Sequence, residues 1–395
     1  RALVSRSPSA RVAGAGREDG ERLTSALDGI RVVDTTQIWA GPTAGRVLAE
    51  FGADVIKIND TSNPVASHEH VNSGKRTLLL DLQSEAGLNV LWRLLEDTDV
   101  FTENSRKGTA DRMGIGYEAL RARKPDIVYA SVTAYGHDGP RGDHRGWEPV
   151  GQAASGMQAR MGGDGVPMLQ PYAVCDYGTG MMGAFAVLLG LFHRARTGQG
   201  QRVEAALSMT GTFHQTPFMY DYEGRSCEGE PSGPDAKGFG PLQRLYEASD
   251  GWFFLGARRS ELPRLADVLS LDGLAALDDA TLEARLIEAF AGRTVAEWTS
   301  RLVEAGMGAH ALVPFESLLE DRWAKDRGLV VVREFESLGP VLLPGPSPRL
   351  SETPVRVAFP ARKPGADAPE VLSTLGLSDE LDGLVKDRVL ALPTA

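Results

Sequence analysis

The stretch from Leu27 to Ile58 constrains the fold more than any other part of the chain. Leu27-Asp-Gly29-Ile-Arg-Val-Val-Asp34 reads as a short β-branched strand entered from a turn, and Thr36 to Pro42 as a loop. Thr43 to Phe51 reads as a helix with Val47 and Leu48 inward and Gly52 as its stop, and Ala53 to Ile58 as the next strand. Strands joined through a helix run parallel in one sheet with a right-handed crossover. The alternation continues with a strand from Thr77 to Leu82, a helix from Ser84 to Leu95, and strands at Val100-Phe101, Ile127 to Val132 and Gln201 to Ala206. The expected class is α/β, with a large Rossmann-like domain built on a parallel sheet. Ligands of such sheets sit beyond the carboxyl ends of the strands, so the loop holding Trp39, Ala40 and Gly41 is a candidate pocket wall.

Glycine, charge and proline crowd residues 223 to 240, and residues 242 to 330 read as a smaller unit. It holds a hairpin turning at Asp250-Gly251 and helices from Glu261 to Leu269, Asp279 to Ala291 and Val295 to Ala305. Strand-like pieces cut by prolines follow from Gly328 to Arg356, and Leu372 to Val389 gives two short helices. The domain reading is a large domain of residues 27–222 and 331–395 with a smaller α+β domain, residues 223–330, inserted. Residues 1–26 carry Arg among Ser, Ala and Gly with no hydrophobic period and read as a linker or tail. Gly14-Ala15-Gly16 is no dinucleotide fingerprint, because no strand precedes it and Asp19 stands at the third glycine position.

A formal net charge of −11 argues against nucleic acid or an anionic membrane as the main partner. No apolar run approaches the ~18 residues of a membrane span. Cys175 and Cys227 make no disulfide framework, and no Cys/His cluster has metal-site spacing. A reducing cytoplasm fits, and no metal is expected.

Val174 to Thr210 holds the group with chemical potential. Asp176 stands at the entrance to a helix that is apolar on nearly every face from Met181 to Phe192 and closes at Arg194, Arg196 and Gly198. That apolar span covers only about 18 Å at ~1.5 Å per residue, so it reads as a core helix. The residues alone leave two readings of Asp176, a cap for the free N–H groups of the first turn or a nucleophile at the rim of a buried core. Cys175 beside it reads as a small buried residue.

Several motifs in this order resemble the class III CoA-transferases, the CaiB/BaiF type that includes formyl-CoA transferase and carnitine CoA-transferase. The ending Arg194-Ala-Arg-Thr197-Gly198-Gln-Gly200-Gln201-Arg-Val203 after Asp176 matches the family signature, as does the opening from Leu27 through Ala40-Gly41-Pro42 to Lys57. Asn72-x-x-Lys75-Arg76, then Glu103-Asn104 with Gly108, Arg112 and Gly114, and Glu148 eight positions ahead of Gly156 agree with it. The likeness covers residues 27 to 390. It implies an interlocked homodimer, coenzyme A and acyl-CoA as substrate with no permanently bound cofactor, and a carboxylic acid as the other partner. It further implies Asp176 as nucleophile, Glu148 in support, and Lys75, Arg76, Asn104 and Arg112 as CoA contacts. Gly238 and Gly240 stand where a glycine-rich loop covers the active site, although a domain linker is an equal reading. Trp39 occupies the place of a Gln in formyl-CoA transferase, which implies a bulkier or more apolar acid.

Two alternatives stay open. The related α-methylacyl-CoA racemases carry a His-Asp pair where this chain has Trp147-Glu148, so a racemase would need a different second base. The Arg-rich lead-in and the start without Met also fit the non-catalytic half of a fused two-domain CoA-transferase.

Overall fold

The computed structural model describes residues 25–62, 69–226, 230–336, 338–355 and 359–393; residues 1–24 of the tail and Cys227 lie outside them. Two compact units emerge. The first comprises the described residues up to Met157, Leu169–Gln215 and those from Trp323 onward; the second comprises Gln158–Met168 and Thr216–Arg322.

The first unit is organised on a sheet of six parallel strands and one antiparallel edge. Strands β1 (Arg31–Asp34), β2 (Asp54–Asn59), β3 (Lys75–Leu80), β4 (Val100–Glu103), β5 (Val128–Thr133) and β6 (Arg202–Ala206) run parallel in the order β3-β2-β1-β4-β5-β6. Leu390–Ala391 adds the antiparallel edge beside β3. Adjacent residues of one strand serve opposite faces, as the alternation of a doubly covered sheet requires. On one face Ile56, Leu78, Phe101 and Tyr129 pack with Leu91 and Leu94 of the Glu85–Glu96 helix and with Val371 and Leu372 near the carboxyl end. On the other, Val32, Val55, Val100 and Val128 pack with Ala44 and Leu48 of the Ala40–Glu50 helix and with Val187 and Leu191 of the Val174–Thr197 helix.

The Val174–Thr197 helix departs from the all-round core helix expected. It runs for 24 residues and ends at Gly198, whose φ of 74° is the left-handed turn that suits glycine. Only one side packs on the sheet, while Met181, Phe185, Leu189 and Phe192 are half or more exposed on the other. By length and composition this helix could cross a bilayer, but half of its most apolar window is buried inside the protein.

In the second unit, β7 (Gly238–Gly240), β8 (Gln243–Ala248), β9 (Gly251–Gly256) and β10 (Gly308–Ala311) form an antiparallel sheet. Tyr246, Phe253, Phe290 and Trp298 fill its core with tilted and edge-on rings, and the indole N–H of Trp298 donates to the Phe290 carbonyl at 2.7 Å.

Candidate active site

The strand order reverses between β1 and β4, and the loops leaving their carboxyl ends are joined there. Asn104 ties them reciprocally: its side-chain oxygen accepts the Gln37 N–H at 2.9 Å and its amide donates to the Gln37 carbonyl at 2.7 Å. Below the loop lies a buried charge cluster. Asp34 accepts from Lys75 at 2.8 Å and from the Thr36 backbone at 2.9 Å, with Lys57 3.9 Å away, and all three charged groups are buried. Burial alone would raise the Asp34 carboxyl, but the two ammonium groups outweigh it and bring it down to about 2. The Lys57 ammonium donates to the Thr36 carbonyl, so the same cluster anchors the loop. At the loop tip Ile38 has a φ of 70°, a conformation that costs a β-branched residue about 1–3 kcal/mol and is held by its surroundings.

The helix after this loop starts at Ala40, earlier than the sequence suggests, with Gly41 and Pro42 inside its first turn. A side chain at Gly41 would overlap Thr36. Where the Ala40–Glu50 and Val174–Thr197 helices touch, a Cβ at Gly180 would stand 2.5 Å from the Thr43 Cβ and 2.7 Å from the Ala40 carbonyl oxygen. Only glycine lets the two backbones approach this closely, and the approach lets the Ala40 N–H donate to the Asp176 carboxylate.

Asp176 is the third residue of its helix and does not cap it. That role falls to Glu148, the first residue of the Glu148–Ala154 helix: its carboxylate accepts the N–H of Cys175 at 3.1 Å and of Asp176 at 2.5 Å. Gln152, fully buried, holds Glu148 in turn. Its amide donates to Glu148 at 2.7 Å and to the Gln170 carbonyl at 3.1 Å, and its oxygen accepts the Gln170 N–H at 3.0 Å. Burial and then the neighbouring Glu148 charge push Asp176 up to about 7, against the pull of the Ala40 N–H. Burial and Glu148 likewise push the Cys175 thiol up to about 12, which keeps it protonated and a poor nucleophile.

Asp176 and Glu148 face a cavity of ≈ 430 Å³ whose wall includes Ile38, Trp39, Trp147 and Tyr172. Trp39 stacks on Tyr177 at 6.2 Å and meets His70 edge-on at 5.7 Å. A second cavity, ≈ 290 Å³, lies against Asn104, Arg106, His144 and Arg145, and Gly146 and Trp147 line both.

The profile of CoA-transferase family III matches residues 27–368. The chain belongs to this family. Among its relatives, the succinyl-CoA–L-malate CoA-transferase beta subunit of Chloroflexus aurantiacus is 30% identical over 94% of this chain and 100% of that protein. The α-methylacyl-CoA racemase of Homo sapiens is 29% identical over 92% of this chain and 97% of the relative. A CaiB/BaiF family protein from Brucella suis superposes with a TM-score of 0.76 at 25% identity, covering 89% of this chain and all of that one. The chain is therefore an enzyme of the class III CoA-transferases.

Within this family III chain, the predicted site residues separate into groups. Trp39, Ala40, Gly41, Glu148 and Asp176 come together in the first unit, with Asn104 at the base of the same loop. Lys75 and Arg76 are not loop residues, because β3 starts at Lys75. The three ammonium hydrogens of Lys75 go to Asp34, the Pro42 carbonyl and Asn72. Arg76 is bound by Asp54 at 2.9 and 2.6 Å and by Glu370 at 3.4 Å. Arg112 is exposed and bonds Thr109 at 3.0 Å. Gly238 and Gly240 form β7 of the second unit in place of a loop. Sequence reasoning passed over Arg106, Arg145, Gln152 and Tyr177. Arg106 could have been found from its place two residues after Asn104, on a loop at a strand's carboxyl end.

Proposed function

We propose that the chain moves coenzyme A from an acyl-CoA thioester to a carboxylic acid through covalent intermediates on Asp176. The observation that carries this reading is the Asp176 carboxylate: only 4% exposed, basic for its type, and set at a mostly apolar cavity. Its oxygen attacks the thioester carbonyl, the C–S bond breaks, and a mixed anhydride and CoA thiolate result. The thiolate attacks the aspartyl carbonyl, forming a C–S bond and releasing the donor acid. The acceptor carboxylate then attacks the aspartyl thioester, and the thiolate returns to the acceptor's carbonyl, freeing Asp176. No net proton is exchanged. The Gly41 N–H, in a helix first turn without an intrahelical partner, is the donor nearest in kind to an oxyanion site, since the Ala40 N–H already donates to Asp176. Glu148 acts by positioning, since its oxygens are taken by the helix N–H groups and Gln152. Asn104, Arg106 and Arg145 suit the nucleotide and phosphates of CoA in the polar cavity.

The protein acts as a homodimer in this reading, and the exposed stripe of Met181, Phe185, Leu189 and Phe192 supports it. Sedimentation should give a dimer, and Phe185→Asp should break it.

The racemase relative supports a second reading, α-proton transfer on an acyl-CoA. Among the described residues lining the cavity of Asp176 there is no histidine to act as the opposing base. A panel of acyl-CoA donors and carboxylic acids, run in heavy water, decides between them. New acyl-CoA without α-deuterium supports transfer; α-deuterium incorporation at a catalytic rate without transfer supports the isomerase.

A further inference from the structure

We infer that the acid this enzyme couples to CoA is a monocarboxylic acid with an apolar or aromatic body, and that dicarboxylic acids are excluded. The inference rests on the transferase reading above and concerns the same cavity. At ≈ 430 Å³ the space falls within the roughly 300–1,000 Å³ of small-molecule sites. Most of its wall is hydrocarbon and aromatic, from Ile38, Trp39, Trp147, Pro149, Leu169 and Tyr172, with Gln170 also in the lining. Among the described lining residues the only charged groups are the carboxylates of Glu148 and Asp176.

A second carboxylate on the substrate would shed water there without a cation to receive it, and two like charges would stand in the same cavity. The nearby guanidinium of Arg46 is already engaged with Glu50 at 2.8 Å and with the His70 and Pro344 carbonyls at 2.6 and 3.3 Å. Arg106 and Arg145 line the other cavity. A hydrocarbon body, in contrast, gains about fourfold in affinity for each methylene it buries. The malate of the Chloroflexus relative's name is therefore no guide to this chain's acid.

Binding, measured apart from turnover, tests the inference. Hexanoyl-CoA, phenylacetyl-CoA, succinyl-CoA, glutaryl-CoA and free CoA are titrated calorimetrically into the full chain carrying Asp176→Asn. Hexanoyl- and phenylacetyl-CoA should bind at least about tenfold more tightly than free CoA, the gain of two buried methylenes. Succinyl- and glutaryl-CoA should bind no more tightly than free CoA. Tyr172→Arg, a change at a rim position that is 71% exposed, should raise succinyl-CoA affinity about fivefold by supplying the missing cation. Succinyl- or glutaryl-CoA binding as tightly as hexanoyl-CoA would overturn the inference. Transfer is assayed separately with the unmodified protein: its absence with every acid would remove the transferase reading, whereas transfer to succinate or glutarate at rates matching hexanoate would remove only the substrate class.

Discussion

Glu148 caps the helix that carries Asp176, its two oxygens accepting the N–H groups of Cys175 at 3.1 Å and Asp176 at 2.5 Å. The cap also sets a like charge beside the buried Asp176 carboxylate. One contact thus orders the helix start and raises the basicity of the group at its third residue.

The pH dependence follows from the sign of that shift. In the proposed transfer, Asp176, pushed up to about 7 by burial and by Glu148, must lose its proton before it can attack. The kcat/KM of transfer should climb as pH rises through about 7 and level off above it. Glu148→Gln removes the like charge, so the midpoint should move to lower pH. A midpoint that stays in place would show that Glu148 does not act on Asp176 through its charge.

Lys75 provides a test of a structural cation against a ligand contact. Lys75→Met leaves the buried Asp34 with Lys57, 3.9 Å away, in place of a direct ion pair and should cost about 3 kcal/mol, the low end for breaking a buried pair. Urea unfolding measures the loss. The folded fraction should bind CoA with much the same affinity; a large loss of affinity at near-normal stability would mark Lys75 as a direct contact.

Gly180→Ala should separate the two helices that bring Ala40 to Asp176. The new methyl would stand 2.5 Å from the Thr43 Cβ, an overlap that costs about 1–3 kcal/mol and lowers kcat by moving the Ala40 N–H. Gly183→Ala is the control, since its Cβ meets Val132 and Ala44 at 3.3 and 3.4 Å and needs far less movement. Thermal melts and steady-state rates of the pair check both effects, and equal behaviour of the two variants would contradict the close-approach argument.

The sheet could be read in advance because its signals are local: β-branched runs, turn glycines and the strand–helix alternation from Arg31 to Thr133 each lie within a few residues. What escaped the sequence depends on distant partners. The Ala40 helix start packs on Thr36 and on Gly180, and Lys75 can lie buried at the start of its strand because Asp34 neutralises it from 41 residues away. The cap on Asp176 comes from Glu148, 28 positions upstream, so the local pattern that made Asp176 itself a candidate cap had no way to show it. The Val174–Thr197 helix looked apolar all round, and composition does not tell which side of such a helix the sheet will cover.

Covalent capture at Asp176 tests the central claim most directly. The full chain is incubated with a donor acyl-CoA that it turns over, treated with hydroxylamine or borohydride, and digested for peptide mass. The account predicts a hydroxamate or a reduced alcohol at Asp176, absent when donor is omitted and absent in Asp176→Asn, whose turnover should fall by several powers of ten while CoA binding persists. Transfer near the wild-type rate in a folded Asp176→Asn variant, with no modification of Asp176 in the wild type, would contradict it.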